Sequence, residues 1–165
     1  MPYTRGRFHL KRDYKPPLGL VKKSPKEKDS DVSTDISVRL RLSTLYSKIG
    51  LLLARQYKYD QALEGINRAL KLNPDNIDAY CTKASILCAK EEYEESIKLC
   101  KRALRINKHM AETWIILGNN YKMLAVDEEL KGNQDKVREY HELAKDYWGE
   151  GKSINPNIII PFFDE

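Results

Sequence analysis

The sequence has too few cysteines and histidines for a disulfide framework or a histidine-rich metal site. Among 165 residues there are three cysteines and three histidines, and His9, His109 and His141 are scattered along the chain. An odd number of cysteines fits a reducing compartment better than a cross-linked, secreted domain. We therefore predict a cytoplasmic protein without a metal ion or a cofactor.

Long apolar segments are absent as well. No run approaches the roughly 20 apolar residues that a transmembrane helix needs, and the first residues are polar and basic, unlike a secretory signal. Hydrophobic residues make up 41% of the chain and charged residues 32%, which allows a compact core beneath a densely charged surface. The composition predicts a protein that does not enter a membrane.

The motifs of common catalytic sites are missing. The sequence has no glycine-rich phosphate loop, no HExxH motif and no nucleophile elbow. Cys81 and Cys88 could approach each other on one helical face, but no histidine lies in that helix, so we interpret both as packing residues. We predict that the protein is not an enzyme and takes no small-molecule substrate.

Positive charge is concentrated at the N-terminus. Residues 1–30 contain nine basic and three acidic residues, a net charge of +6, whereas the rest contains 20 basic and 21 acidic residues, a net charge of −1. Four prolines interrupt the basic segment, and proline disfavours helix both at its own position and at the one before it. We predict an extended basic tail over residues 1–32. Asp13 and the Pro16-Pro17 pair argue against an amphipathic mitochondrial targeting peptide.

The remainder of the chain predicts helices only. Between Asp35 and Gln56 apolar residues recur at intervals of three and four, which is the periodicity of a helix. Residues 43–76 align with residues 77–110 at an offset of 34, which places tyrosine on tyrosine, alanine on alanine and asparagine on asparagine. A fixed period of this size indicates a stack of repeated helical hairpins.

The repeated unit resembles the tetratricopeptide repeat. Nine spaced positions of the first repeat agree with the pattern of that family: Tyr46, Ile49, Gly50, Leu53, Tyr59, Ala62, Ile66, Ala69 and Pro74. The resemblance implies an all-α, right-handed superhelix of about three hairpins over residues 33–157, with repeats at 43–76, 77–110 and 111–157. It also implies a concave face that binds proteins, and no catalysis.

The second and third repeats depart from the pattern. Four positions of the second carry unusual residues, which predicts looser packing: Lys83, Ser96, Cys100 and Lys108. In the third repeat the turn glycine, Gly132, arrives seven residues late, and Pro156 arrives fourteen late. Seven extra residues in each helix explain both delays. We therefore expect continuous helices over Ala111–Lys131 and Gln134–Lys152.

In the tetratricopeptide family the first helix of each repeat lines the concave groove. Carried over to this sequence, the resemblance assigns these partner-binding positions: Ser47, Lys48, Leu51, Arg55, Cys81, Ser85, Ile115, Ile116, Asn119 and Lys122. Ile115 and Ile116 could instead pack only against neighbouring helices. Family members that bind chaperone tails hold the terminal carboxylate with Lys, Asn and Arg, whereas the equivalent positions here are Ser47, Leu51, Thr82, Glu112 and Ile116. The groove therefore suits an extended peptide or an amphipathic helix with apolar anchors, and not a chaperone tail.

The two ends of the chain leave alternatives open. In the N-terminal tail aromatic residues interleave with the basic residues Arg5, Arg7, Lys11, Arg12 and Lys15, an arrangement that fits RNA, an acidic protein surface, or neither. At the other end, the apolar tail 158–165 could fold back over the last hairpin or dock onto another chain, since that hairpin has no further repeat to cover it.

Two functions follow from the sequence. The first is a non-enzymatic scaffold subunit of a larger complex, which binds a partner segment in its groove and is anchored by its basic tail. The alternative is a ribonucleoprotein- or ribosome-associated factor whose basic tail contacts RNA.

Overall fold

The chain forms three antiparallel helical hairpins stacked in chain order. The computed structural model describes residues 25–160 and, within residues 25–34, the backbone alone. All regular structure in this part of the chain is helical: α1 (Pro25–Arg55), α2 (Tyr59–Leu72), α3 (Ile77–Ala89), α4 (Tyr93–Ile106), α5 (Ala111–Leu130) and α6 (Gln134–Ile154). Helices α1, α3 and α5 pack side by side, and each pairs with the helix that follows it. The predicted all-α stack of three hairpins is confirmed.

The period seen in the sequence recurs in the backbone. A positive φ angle marks the turn of each hairpin, at Tyr57, Glu91 and Gly132. The first two turns are separated by the repeat period, and the third follows seven positions late. The helices α5 and α6 have 20 and 21 residues, whereas α3 and α4 have 13 and 14. The two continuous, lengthened helices that we predicted for the third repeat are therefore confirmed, and each is seven residues longer than its counterpart.

An aromatic side chain joins the start of each later hairpin to the preceding loop. The Tyr80 hydroxyl donates to the Pro74 carbonyl at 2.9 Å, and Trp114 Nε1 donates to the Lys108 carbonyl at 2.8 Å. The donor and the acceptor of the second bond each follow those of the first by one repeat period. Equivalent residues of successive repeats therefore make equivalent contacts, although a lysine stands where the first repeat has proline.

The second hairpin is tightly packed at two of the positions where we expected looser packing. Ser96 and Cys100 are fully buried. The Ser96 hydroxyl donates to the Ala84 carbonyl at 2.8 Å, so the buried hydroxyl keeps a hydrogen-bond partner and carries little desolvation cost. The expectation of looser packing is not met at these two positions.

The first helix begins earlier than the sequence indicated. Helix α1 starts at Pro25, so residues 25–32, which we expected to belong to an extended tail, are helical. Proline is tolerated in the first turn of a helix because the N–H groups there have no partner within the helix. Helical periodicity could not reveal this segment, because it contains almost no apolar residues.

The C-terminal segment folds back over the third hairpin. Ile160 is buried against Ile115, Ala144 and Trp148, whereas Ile159 before it is exposed. Of the two outcomes open for the C-terminal tail, the described residues follow the first: they cover the outer face of the last hairpin. Residues 161–165 lie outside the described part of the chain.

A partly buried carboxylate fixes the turn between α5 and α6. Glu128 accepts hydrogen bonds from Lys131 Nζ at 2.9 Å and from Asn133 Nδ2 at 2.5 Å, and Lys136 Nζ lies 3.7 Å away. The hydrogen bonds from Lys131 and Asn133 hold the pKa of this carboxyl below its usual value.

Because the folded pKa of Glu128 is lowered, its stabilising effect is complete above the unfolded pKa and is lost as the pH falls through the folded pKa. Glu128→Gln should therefore lower the free energy of unfolding at pH 7 and leave it nearly unchanged at a pH below the folded pKa. Urea unfolding of both proteins at neutral and acidic pH measures this. If Glu128→Gln lowered the free energy of unfolding by the same amount at both pH values, the charge of Glu128 would not contribute to stability.

Glu91 adopts a φ angle of 65° at the turn of the second hairpin. A non-glycine residue in this left-handed region costs about 1–2 kcal/mol. We expect Glu91→Gly to raise the free energy of unfolding by about 0.5–1 kcal/mol, since glycine relieves the strain but loses more chain entropy. Gly132→Ala, at the equivalent turn with a φ of 78°, should have the opposite sign in the same urea unfolding assay.

Candidate partner-binding groove

The open face between α1, α3 and α5 contains a groove of about 460 Å³. It exists because the three helices lie side by side with small side chains between them. Eleven residues line it: Ser47, Lys48, Leu51 and Arg55 from α1, Asp78, Cys81, Thr82 and Ser85 from α3, and Met110, Glu112 and Ile116 at or near the start of α5. We call this surface the concave groove.

Seven of the ten residues that the sequence assigned to partner binding line the concave groove, namely Ser47, Lys48, Leu51, Arg55, Cys81, Ser85 and Ile116. The other three, Ile115, Asn119 and Lys122, do not line it. Met110 does line it, and nothing in the sequence pointed to it. It precedes α5, and the repeat pattern assigns groove positions only within helices.

Two of these three residues, Ile115 and Asn119, contact α6. Ile115 is 6% exposed and contacts Ala144 and Trp148, and Asn119 Oδ1 accepts a hydrogen bond from Trp148 Nε1 at 3.0 Å. The positive charge of Lys122 helps to lower the pKa of His141 in α6, although burial is the larger cause. Ile115 therefore packs against a neighbouring helix, whereas Ile116 lines the concave groove.

Charges in the concave groove are separated by sign. Lys48 and Arg55 lie on the α1 wall, whereas Asp78 and Glu112 lie on the walls formed by α3 and α5. The groove is thus neutral in sum, but it has a basic side and an acidic side. Leu51 on the α1 wall and Ile116 on the α5 wall add apolar surface. Such a surface orients a bound segment as well as attracting it.

The small side chains of the groove offer no reactive group. Burial raises the pKa of the Cys81 thiol to about 11, and its Sγ lies 2.9 Å from Thr113 Oγ1. A thiol with this pKa is protonated at neutral pH and is therefore a poor nucleophile and metal ligand. The Ser47 hydroxyl is 2% exposed and, among the described residues, has no hydrogen-bond partner.

Other kinds of site are not found in the described residues. Within residues 25–160, no three His, Cys, Asp or Glu side chains are grouped so that they could hold a metal ion. The helices of the same region are each too short or too polar to cross a bilayer. The basic residues predicted to contact nucleic acid or an acidic partner, Arg5, Arg7, Lys11, Arg12 and Lys15, lie outside the described residues.

Stacked helical hairpins of a fixed period, with an open concave groove, define a helical-repeat protein of the binding class. A family model described as tetratricopeptide repeat matches residues 66–98. This match and the fold shared with solved tetratricopeptide domains confirm the resemblance to the tetratricopeptide repeat seen in the sequence.

Two relatives match 64% and 73% of this chain. Anaphase-promoting complex subunit 3 of Schizosaccharomyces pombe is 31% identical over 105 residues, which are 64% of this chain but 14% of that protein. Photosystem I assembly protein Ycf3 of a Synechococcus species is 27% identical over 124 residues, which are 73% of this chain and 72% of that protein. The chain therefore corresponds to a small part of the first relative and to most of the second.

Two solved structures share the fold. The first tetratricopeptide domain of Spaghetti, bound to an HSP90 peptide, has a TM-score of 0.56 at 16% identity and covers 73% of this chain and 84% of its own. The Arabidopsis OM64 tetratricopeptide domain has a TM-score of 0.51 at 19% identity and covers 73% of this chain and 99% of its own. At these identities the likeness concerns the arrangement of helices.

Proposed function

We propose that this protein is a non-catalytic scaffold subunit of a larger complex, which binds a segment of a partner protein in the concave groove and is anchored by its basic N-terminal tail. The observation that carries the proposal is the groove itself, which combines apolar residues with a basic wall and acidic walls. The relatives support it, since one is a subunit of a complex and another is an assembly protein.

The groove favours a segment of mixed charge. An apolar side chain of the partner packs between Leu51 and Ile116, an acidic group faces Lys48 and Arg55, and a basic group faces Asp78 and Glu112. The HSP90 peptide SRMEEVD bound to the Spaghetti domain also combines apolar, basic and acidic residues, but it has three acidic residues and one basic residue. Ser47, Leu51 and Thr82 supply no positive charge where chaperone-binding members clamp a terminal carboxylate, and Glu112 repels one.

Filling the groove tests this function. Ser85 is exposed at the centre of the α3 wall, so Ser85→Trp blocks the groove without entering the core. Ser153→Trp is the matched control, because Ser153 is exposed near the end of α6 and does not line the groove. We expect one or more proteins to co-purify at high salt with the wild type and with Ser153→Trp, and to be lost with Ser85→Trp. If the wild type and both variants retained the same partners equally, the groove would not be the binding site.

The alternative function, RNA contact through the tail, is supported by the separation of charge in the sequence, +6 in residues 1–30 against −1 elsewhere. Affinity of this kind comes from phosphate contacts and counterion release, so it falls steeply with salt and depends little on base sequence. Replacing Arg5, Arg7, Lys11, Arg12 and Lys15 with serine should abolish filter binding of bulk RNA at low salt and leave the helical circular dichroism unchanged. If the wild type does not retain RNA at low salt, the alternative fails.

A further inference from the structure

Helix α1 exposes a continuous row of large apolar side chains on the face away from the groove. The row consists of Val38, Leu42, Leu45, Ile49 and Leu52, which are between 40% and 56% exposed. Their intervals alternate between four and three residues, which is the heptad spacing of a helix that packs along another helix. We call this row the α1 stripe.

The positions equivalent to Leu45 in the two later hairpins are buried against a preceding helix. Ala79, one repeat period after Leu45, is buried against Ile66 and Ala69 of α2. Thr113, one period after Ala79, is buried, and its hydroxyl lies 2.9 Å from Cys81 Sγ of α3. The α1 stripe thus occupies the side of the hairpin on which a neighbouring helix packs elsewhere in the solenoid, and no described residue covers it.

A row of positive charge borders the α1 stripe on its groove side. Arg41, Lys48 and Arg55 recur every seven residues, and the segment from Val38 to Gln56 contains four basic residues and no acidic one. In a coiled-coil arrangement residues at such flanking positions pair with charges of the partner helix. On the other side of the stripe, the carboxylate of Glu64 in α2 is already paired with Arg68.

The basic residues beside the α1 stripe determine which kind of helix can bind there. If a second copy of α1 packed on the stripe, basic residues would face basic or uncharged ones, with no acidic partner in either helix between Val38 and Gln56. Like charges at flanking positions oppose association. An amphipathic helix of another protein whose apolar heptad face is bordered by Asp or Glu matches the stripe in both shape and charge.

We propose that the α1 stripe is a second docking surface, which binds such an acidic amphipathic helix of a partner protein. The surface is distinct from the concave groove, because none of the five stripe residues lines that groove. The two surfaces share only their border, where Lys48 and Arg55 lie. A partner can therefore occupy the stripe while a different segment occupies the groove.

Two synthetic peptides probe the stripe. Each is about three heptads long, with leucine at the a and d positions and alanine or glutamine elsewhere. One carries glutamate at every e and g position and the other carries lysine there, so that neither pairs with itself. Fluorescence anisotropy with the full-length protein should give an affinity for the glutamate peptide that is roughly three- to tenfold higher, the combined effect of three modest charge pairs. The difference should shrink with added salt.

Four variants make the test specific. The double variant Leu45→Glu/Leu52→Glu should abolish binding of the glutamate peptide, whereas Leu130→Glu, at an exposed leucine at the end of α5, should not change it. The triple variant Arg41→Glu/Lys48→Glu/Arg55→Glu should reverse the preference in favour of the lysine peptide. Ser85→Trp should leave peptide binding intact, so the outcome does not depend on the groove.

Several outcomes would overturn the proposal. Equal affinity for the two peptides, or no binding of either, would show that the basic border selects nothing. Binding that survives Leu45→Glu/Leu52→Glu would place the peptide elsewhere. Self-association of the wild type in sedimentation, abolished by the same double variant, would identify a second copy as the occupant.

Discussion

Trp148→Ala is expected to lower the free energy of unfolding by about 3–5 kcal/mol, the range for removing a large buried aromatic side chain. Trp148 is 4% exposed and packs against Ile115, Ala144 and Ile160 between α5, α6 and the C-terminal segment. Its Nε1 also donates a hydrogen bond to Asn119 at 3.0 Å. The substitution removes the ring that joins all three elements, and a cavity remains.

Urea unfolding followed by far-ultraviolet circular dichroism measures this loss. Trp148→Phe retains an aromatic ring but not the hydrogen bond, so its cost should be smaller. Trp114→Ala is a second comparison, because Trp114 is only partly buried and stacks on Tyr147 at 5.9 Å between ring centroids. If Trp148→Ala cost no more than Trp114→Ala, the packing described for the third hairpin would be wrong.

Gly50→Leu is expected to lower the free energy of unfolding by about 1–3 kcal/mol through overpacking. A Cβ atom at Gly50 would lie 2.5 Å from Ile66 Cδ1 and 3.3 Å from the Ala62 carbonyl oxygen. Ile66 is fully buried, so its side chain cannot yield without disturbing the contact between α1 and α2.

Gly149→Leu is the matched control for Gly50→Leu. Both glycines lie within helices, but a Cβ at Gly149 would meet no atom within 4 Å. Leucine there should stabilise the protein by about 0.5–1 kcal/mol, because glycine is a poor helix former. Urea midpoints that shift in the same direction for both variants would contradict the close approach of α1 and α2 at Gly50.

The sequence predicts the hairpins well because their contacts repeat. Gly50 in the first repeat and Gly118 in the third are equivalent positions. Gly50 lies against Ile66 and Gly118 lies against Trp148. Ile66 and Trp148 are also equivalent, because each stands seven residues before the asparagine at the C-terminal end of its helix. The small residues where two helices cross, and the large residues opposite them, therefore recur at a regular spacing that can be read from the sequence. The late position of Gly132 likewise indicates the two extra turns of α5 from the sequence alone.

Other features depend on tertiary contacts that cannot be predicted from the repeat period. Ile115 and Ile116 are neighbours, and a rotation of about 100° per residue separates a side chain that faces α6 from one that faces the groove. The repeat pattern assigned both to the groove because it could not show how α6 and Ile160 would cover one of them. Helix α1 was predicted too short because residues 25–32 lack the apolar spacing by which helices are recognised.

Site-specific photo-crosslinking is the direct measurement of groove occupancy. A benzophenone amino acid replaces Ser85 in one protein and Ser153 in another, and each is irradiated in the cells that make the protein. The proposed function predicts a discrete protein adduct at position 85, which disappears when Ile116→Arg is added, and no such adduct at position 153. Identical adducts at both positions, or none at position 85 when the protein is assembled with its partners, would contradict a partner segment in the concave groove.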